Sequence, residues 1–126
     1  MQTFIHYFLH FGFPFFIAFF FFKKEWKKAY AILLATMLID IDHLLATPIF
    51  EANRCSFGFH YLHTYYAMPF YVGLLFLKKT YRIIGIGLLF HLLTDLIDCL
   101  FMFEKCQSCY VNAPAYELLK VISNVF

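Results

Sequence analysis

The chain has 126 residues, 63% of them hydrophobic and only 14% charged, with 19 phenylalanines and 9 tyrosines beside 5 glycines and 4 prolines. That length holds one domain. A water-soluble domain ordinarily carries about 45–50% apolar and about 25% charged residues, so the composition argues against a soluble globule and excludes disordered, collagen-like and nucleic-acid-binding chains.

In chain order, the first apolar run covers 3–22 and contains no Lys, Arg, Asp or Glu. A polar turn, Lys23-Lys24-Glu25-Trp26-Lys27-Lys28, separates it from a second run over 29–47. A long polar segment then leads into a third run, 61–77, which contains Pro69 and is the shortest. A second basic turn, Lys78 to Arg82, precedes the fourth run, 83–103. At 1.5 Å per residue these runs match the roughly 30 Å of a bilayer core. Barrel strands would be about 10 residues long and alternating, which none of these is. In the tail, 104–126, Leu118, Leu119, Val121, Ile122 and Val125 fall largely on one side, the pattern of a surface-lying helix. The expected fold is therefore all-α: a polytopic membrane protein forming a single membrane domain over 1–126, with four transmembrane helices plus a short C-terminal amphipathic helix. The first run lacks the basic start and small-residue cleavage site of a signal peptide, and reads as a retained helix.

Lys23, Lys24, Lys27, Lys28, Lys78, Lys79 and Arg82 make up seven of the ten Lys and Arg residues. Short basic loops stay on the cytoplasmic side. The N-terminus, the long middle loop and the C-terminal tail are then expected on the non-cytoplasmic side.

The ionisable residues inside the runs collect at one depth, in their outer parts. His6 and His10 are four apart, and His10 lies about 10 Å from the outer end. Asp40-Ile41-Asp42-His43 closes the second run, His60-Tyr61-Leu62-His63 opens the third, and His91, Asp95 and Asp98 form a stripe on the fourth. Each such group costs about 2.5–3.5 kcal/mol to insert, so they must satisfy one another or bind something. A hydrogen-bonded polar core and a proton or ion path are two readings. Imidazoles and carboxylates converging from four helices favour a third, a metal site.

The candidate ligands are His6, His10, Asp40, His43, His60, His63, His91 and Asp95. The ion expected is Zn²⁺, with Mn²⁺ or Mg²⁺ as the other choices, as one ion or two. Asp42 lies about 200° from Asp40 on an ideal helix, so the two cannot aim at one point unless the helix unwinds there. One of this pair is expected on the metal and the other behind it or on a second ion. Asp40 or Asp42 is also the candidate general base. Arg54, the lone arginine of the outer loop, is the candidate for holding a phosphate or carboxylate of a substrate. These roles add up to a metal-dependent hydrolase acting on an ester or phosphoester of a lipid-like substrate. The alternative is a non-enzymatic metal- or proton-binding or structural membrane protein. Membrane lipids are the expected partners, a bundle this thin gains by forming a homodimer, and no nucleic-acid surface is present. Cys55, Cys99, Cys106 and Cys109 all fall on the outer side, where one or two disulfides are expected with their pairing open.

The Asp40-Ile41-Asp42-His43 element, the N-terminal histidines, and His91 with Asp95 resemble the predicted membrane-bound metal-dependent hydrolases, whose bacterial members include the LexA-regulated inner-membrane type. The segment from Asn53 to His63 is also similar to a small uncharacterised family of integral membrane proteins typical of Bacteroidetes. The resemblance implies a bacterial inner-membrane location. It matches Asp40, Asp42 and His43 to an Asp-x-Asp-His element, His63 to a loop-side histidine, and His91 with Asp95 to a last helical pair.

Overall fold

A computed structural model describes residues 2–49, 51 and 54–125; Met1, Phe50, Ala52, Asn53 and Phe126, with the Asn53 start of the loop motif, lie outside the described residues. The described chain is all-α, with no strand. Helix α1 spans Gln2–Phe21 and α4 spans Lys79–Lys105; these two are long and apolar enough to cross a membrane. Between them, α2 (Trp26–Ala35) passes without a break into a 3₁₀ helix, Thr36–Leu45. A single 3₁₀ turn, Tyr61–His63, precedes a short α3 (Met68–Leu74). After α4 come a 3₁₀ turn, Gln107–Tyr110, and the tail helix α5 (Tyr116–Ser123), whose buried residue is Leu119.

The expected third span is not one long helix. Pro69 sits in the first turn of α3, where its missing N–H costs nothing, and so marks a helix start rather than a midpoint. The seven residues of α3 reach only about 10 Å.

Two irregularities in the other helices follow from local chemistry. The ladder of α1 loosens to i→i+5 bonds over Phe8–Gly12. Pro14 lies just beyond, and in a regular helix its ring would press on the carbonyl of His10, four residues back. The wider turn relieves that clash and leaves His10 buried. In the 3₁₀ segment, residues three apart eclipse. Thr36, Ile39 and Asp42 form its buried column, with Asp40 and His43 in the adjacent, half-buried one.

Two apolar cores flank the polar residues. Ala18, Ala29, Leu33 and Ile83 pack with Trp26, Tyr30 and Ile86 toward the basic turns. Ile39, Cys55, Phe57, Tyr71, Leu92, Cys99, Phe103, Tyr110 and Leu119 fill the other end. Both basic turns lie together, joined by a 3.1 Å ion pair between Lys79 and Glu25. The four cysteines form two disulfides, Cys55–Cys99 and Cys106–Cys109. The first ties the middle loop to α4.

Close approach of α4 to the 3₁₀ segment depends on Gly87. A Cβ there would lie 2.6 Å from Thr36 Oγ1, whose hydroxyl already donates to Leu33 O. Gly87→Ala is expected to destabilise the detergent-solubilised protein by about 1–3 kcal/mol, read as a lower Tm. Gly73→Ala, at a position with open space around its Cβ, should leave Tm unchanged or raise it.

Candidate metal centre

Four elements deliver the polar residues to one place. The 3₁₀ segment brings Asp40, Asp42 and His43, the turn after the loop brings His60 and His63, α4 brings His91 and Asp95, and α1 brings His10. Asp40, His63, His91 and Asp95 each place one donor atom within 4.8 Å of the others. His63 Nε2 is 3.4 Å from Asp40 Oδ1 and 3.1 Å from Asp95 Oδ2. His91 Nε2 is 3.0 Å from Asp40 Oδ1 and 3.4 Å from Asp95 Oδ2. Donors held about 2.0–2.1 Å from a tetrahedral ion lie about 3.3 Å from one another. The four imidazole–carboxylate separations scatter around that value.

Hydrogen bonding accounts for this arrangement only in part. His91 Nε2 and Asp40 Oδ1 are bonded at 3.0 Å. His63 Nε2 and Asp95 Oδ2, which approach each other to 3.1 Å, are buried and otherwise without a hydrogen-bond partner among the described residues. Both atoms face the shared point. The set is a buried imidazole–carboxylate cluster capable of coordinating a metal ion.

A second layer of contacts aims these donors. His63 Nδ1 donates to Asp42 Oδ2 at 3.1 Å, and the Leu62 backbone N–H donates to the same oxygen at 2.7 Å. With Nδ1 so engaged, the Nε2 lone pair of His63 is turned toward the centre. Tyr71 Oη donates to Leu62 O at 2.9 Å and steadies the turn. His10 stands behind Asp95, with Nε2 3.6 Å from Oδ1, the oxygen turned away from the other donors. Its ring lies against His91 at 4.6 Å between centroids.

Asp42, His43 and His60 form a second group whose donor atoms also lie within 4.8 Å of one another. His43 Nδ1 is 3.1 Å from Asp42 Oδ1 and 3.5 Å from Asp40 Oδ1. Its Nε2 shares a 2.9 Å hydrogen bond with Ser56 Oγ. His60 stacks on His43 with centroids 3.8 Å apart. Burial first, and the adjoining His43 second, hold the His60 imidazole down to about 4, so the ring is neutral at pH 7.

The tighter winding of Thr36–Leu45 accommodates both aspartates of the Asp-x-Asp-His element. Asp40 falls in the first group and Asp42 in the second, with His63 between them. Three other candidates lie apart from both groups. His6 is 3.9 Å from Asp98 and meets the His10 ring edge to face with centroids 4.4 Å apart. His10 contacts Asp95 as described. Arg54 pairs with Glu51 at 2.6 Å, and its guanidinium sits 4.9 Å over the Phe59 ring, in contact with neither group. Ser56, Tyr71 and the Leu62 N–H were not anticipated. Only the proximity of Ser56 to Cys55 hinted at a fixed loop.

The chain belongs to a family of unknown function (DUF6122), whose model matches residues 1–102, a span that includes every residue of both groups. Neither curated proteins nor solved structures give a match.

The Cys55–Cys99 bond anchors the loop that carries Ser56, His60 and His63. Replacing both cysteines by alanine is expected to cost about 2–5 kcal/mol of stability. Because the disturbed contacts orient the cluster's donors, any divalent ion the cluster binds should then need about 10–100-fold more free metal for half-occupancy. Thermal unfolding and a competition titration in detergent measure the two effects.

Proposed function

For a DUF6122 chain with this centre, we propose an integral membrane metalloprotein whose ion is held by Asp40, His63, His91 and Asp95. The carrying observation is the coordination-shell spacing of these four donors, with two of them buried and unpartnered. The proposed topology has four passes, the third through the broken segment 61–77, with both termini on the non-cytoplasmic side. The outward apolar surface of α1 supports a lipid environment: Phe4, Phe8, Phe11, Phe16, Phe19 and Phe20 are all exposed. The continuous helical stretch 26–45 reaches about 35 Å at the rises of its two helix types. Grouping of the basic turns at one end supports the orientation, which puts the centre near the opposite, non-cytoplasmic face in a bacterial inner membrane.

A site is favoured over a conduction path. The core toward the basic turns consists of Ala18, Ala29, Leu33 and Ile83, and continues no polar route from the centre.

One further observation favours hydrolysis of a lipid-like ester or phosphoester as the second reading. An apolar cavity of about 450 Å³ is lined by Ile39, Leu62, Tyr71, Ile84 and Leu88. Ile39 and Leu62 directly precede Asp40 and His63 in sequence, so the cavity is walled by the same elements that carry two of the centre's donors. The Asp40 side chain is 41% exposed, which leaves that edge of the centre accessible. A bound divalent ion supplies Lewis acidity and lowers the pKa of water. The protein's own residues hold the donors, keep the apolar chain dry, and present Asp40 as the accessible carboxylate. Asp42 is committed to orienting His63, and Arg54 to Glu51. Zn²⁺ is the proposed ion on its imidazole–carboxylate donors, with Mn²⁺ or Mg²⁺ behind it.

Metal analysis of detergent-purified protein under non-chelating conditions tests the first reading. Wild type should retain stoichiometric metal, and His91→Ala and Asp95→Asn should each lose ion from this centre at the same free Zn²⁺. Wild type without metal would refute it. For the second reading, a panel of acyl esters and phosphoesters of increasing chain length should show turnover that rises with length, disappears with chelator and returns with Zn²⁺. A fully loaded protein inert on the panel would leave the centre non-catalytic.

A further inference from the structure

We propose that Asp42, His43 and His60 hold a second divalent cation beside the first, with Asp40 shared between the two, so that the centre is binuclear. The inference rests on the metal reading above, and deepens it by assigning a second set of ligands and a second ion.

Three features of this group point to a ligand set. The first is spacing: His43 Nδ1 lies 3.1 Å from Asp42 Oδ1 and 3.5 Å from Asp40 Oδ1, bracketing the donor separation of about 3.3 Å expected around one tetrahedral ion. The second is a division of labour within each residue. Asp42 spends Oδ2 on the Leu62 N–H and on His63, which leaves Oδ1 for the group. His43 shares hydrogen bonds with Ser56 through Nε2 and with Asp42 Oδ1 through Nδ1; with Nε2–H donating to Ser56, the Nδ1 lone pair would instead be offered to an ion lying between it and Asp42. That pattern, one ring nitrogen anchored and the other presented, is how metal-ligating imidazoles are held.

The third is His60. It is buried, it stacks on His43, and its ring has no hydrogen-bond partner among the described residues. With no side chain of the described residues engaging its ring nitrogens, a lone pair is free to act as the third donor of the group.

Asp40 connects the groups. Its Oδ1 lies 3.0 Å from His91 Nε2 in the first and 3.5 Å from His43 Nδ1 in the second. A carboxylate common to two sets of donors would hold two ions side by side, the arrangement on which two-metal hydrolytic centres depend. With Asp40 shared, the first ion would have four protein donors and the second would have that carboxylate besides Asp42, His43 and His60, so water or substrate would enter as an added donor at the exposed edge by Asp40.

The experiment is a Co²⁺ titration of the metal-stripped full chain in detergent, followed by absorption and electron paramagnetic resonance, with metal content measured after desalting. Wild type should bind two Co²⁺ per chain, with the second equivalent attenuating the resonance of the first through the shared carboxylate. His60→Ala and His43→Ala should each bind one, with the unattenuated signal, and should elute in size exclusion like wild type. His60→Gln, which keeps the volume of the ring, guards against loss through misfolding and should likewise bind one. Wild type binding a single ion, with His60→Ala unchanged from it, would overturn the second site and leave the first reading intact. Wild type binding none would overturn both.

Discussion

Asp40 and Asp95 on one side, and His63 and His91 on the other, form a ring of charge-bearing atoms set among apolar helices and open at the Asp40 edge, and the architecture is arranged around keeping that ring together. A carboxylate or imidazole taken out of water loses solvation that only close partners return. In this chain two of the atoms concerned, His63 Nε2 and Asp95 Oδ2, have no hydrogen-bond partner among the described residues beyond their 3.1 Å approach to each other, and an ion at the common point would engage both.

The rest of the fold follows from bringing those side chains to one depth. Gly87 lets α4 lie against the 3₁₀ segment, setting His91 one turn further along the same helix. The Cys55–Cys99 bond ties the loop to α4 four residues beyond Asp95. Asp42 sits behind His63 and steers it. The loosened turn of α1 delivers His10 to the back of Asp95. The opposite half of the molecule is an apolar core topped by lysines.

Much of this was legible in the residues themselves. His91 and Asp95, four apart on a long apolar stretch, could only share a face of α4, and the polar residues of the other elements fell at matching depth. The charge-free first run and the Lys79–Lys105 helix were readable from hydropathy alone. Backbone departures from ideal helix were harder to see. An α-helical count separates Asp40 from Asp42 by about 200°, and only the 3₁₀ winding shows how both flank His63. Pro14 and Pro69 were visible as letters, but their consequences, a widened turn in one place and a helix start in the other, depend on where neighbouring helices press. The pairing of four cysteines cannot be had from spacing. Arg54 drew attention because it was alone on its side; its pairing with Glu51, three residues away, depended on how the loop folds.

The central claim is that one ion sits among nitrogen and oxygen donors from three separate elements. Zinc-edge X-ray absorption on the detergent-purified, Zn²⁺-loaded chain measures that shell directly. The account predicts only nitrogen and oxygen neighbours at about 2.0–2.2 Å, with the outer-shell scattering of imidazole rings. Sulfur neighbours at about 2.3 Å, or a shell without imidazole, would contradict it.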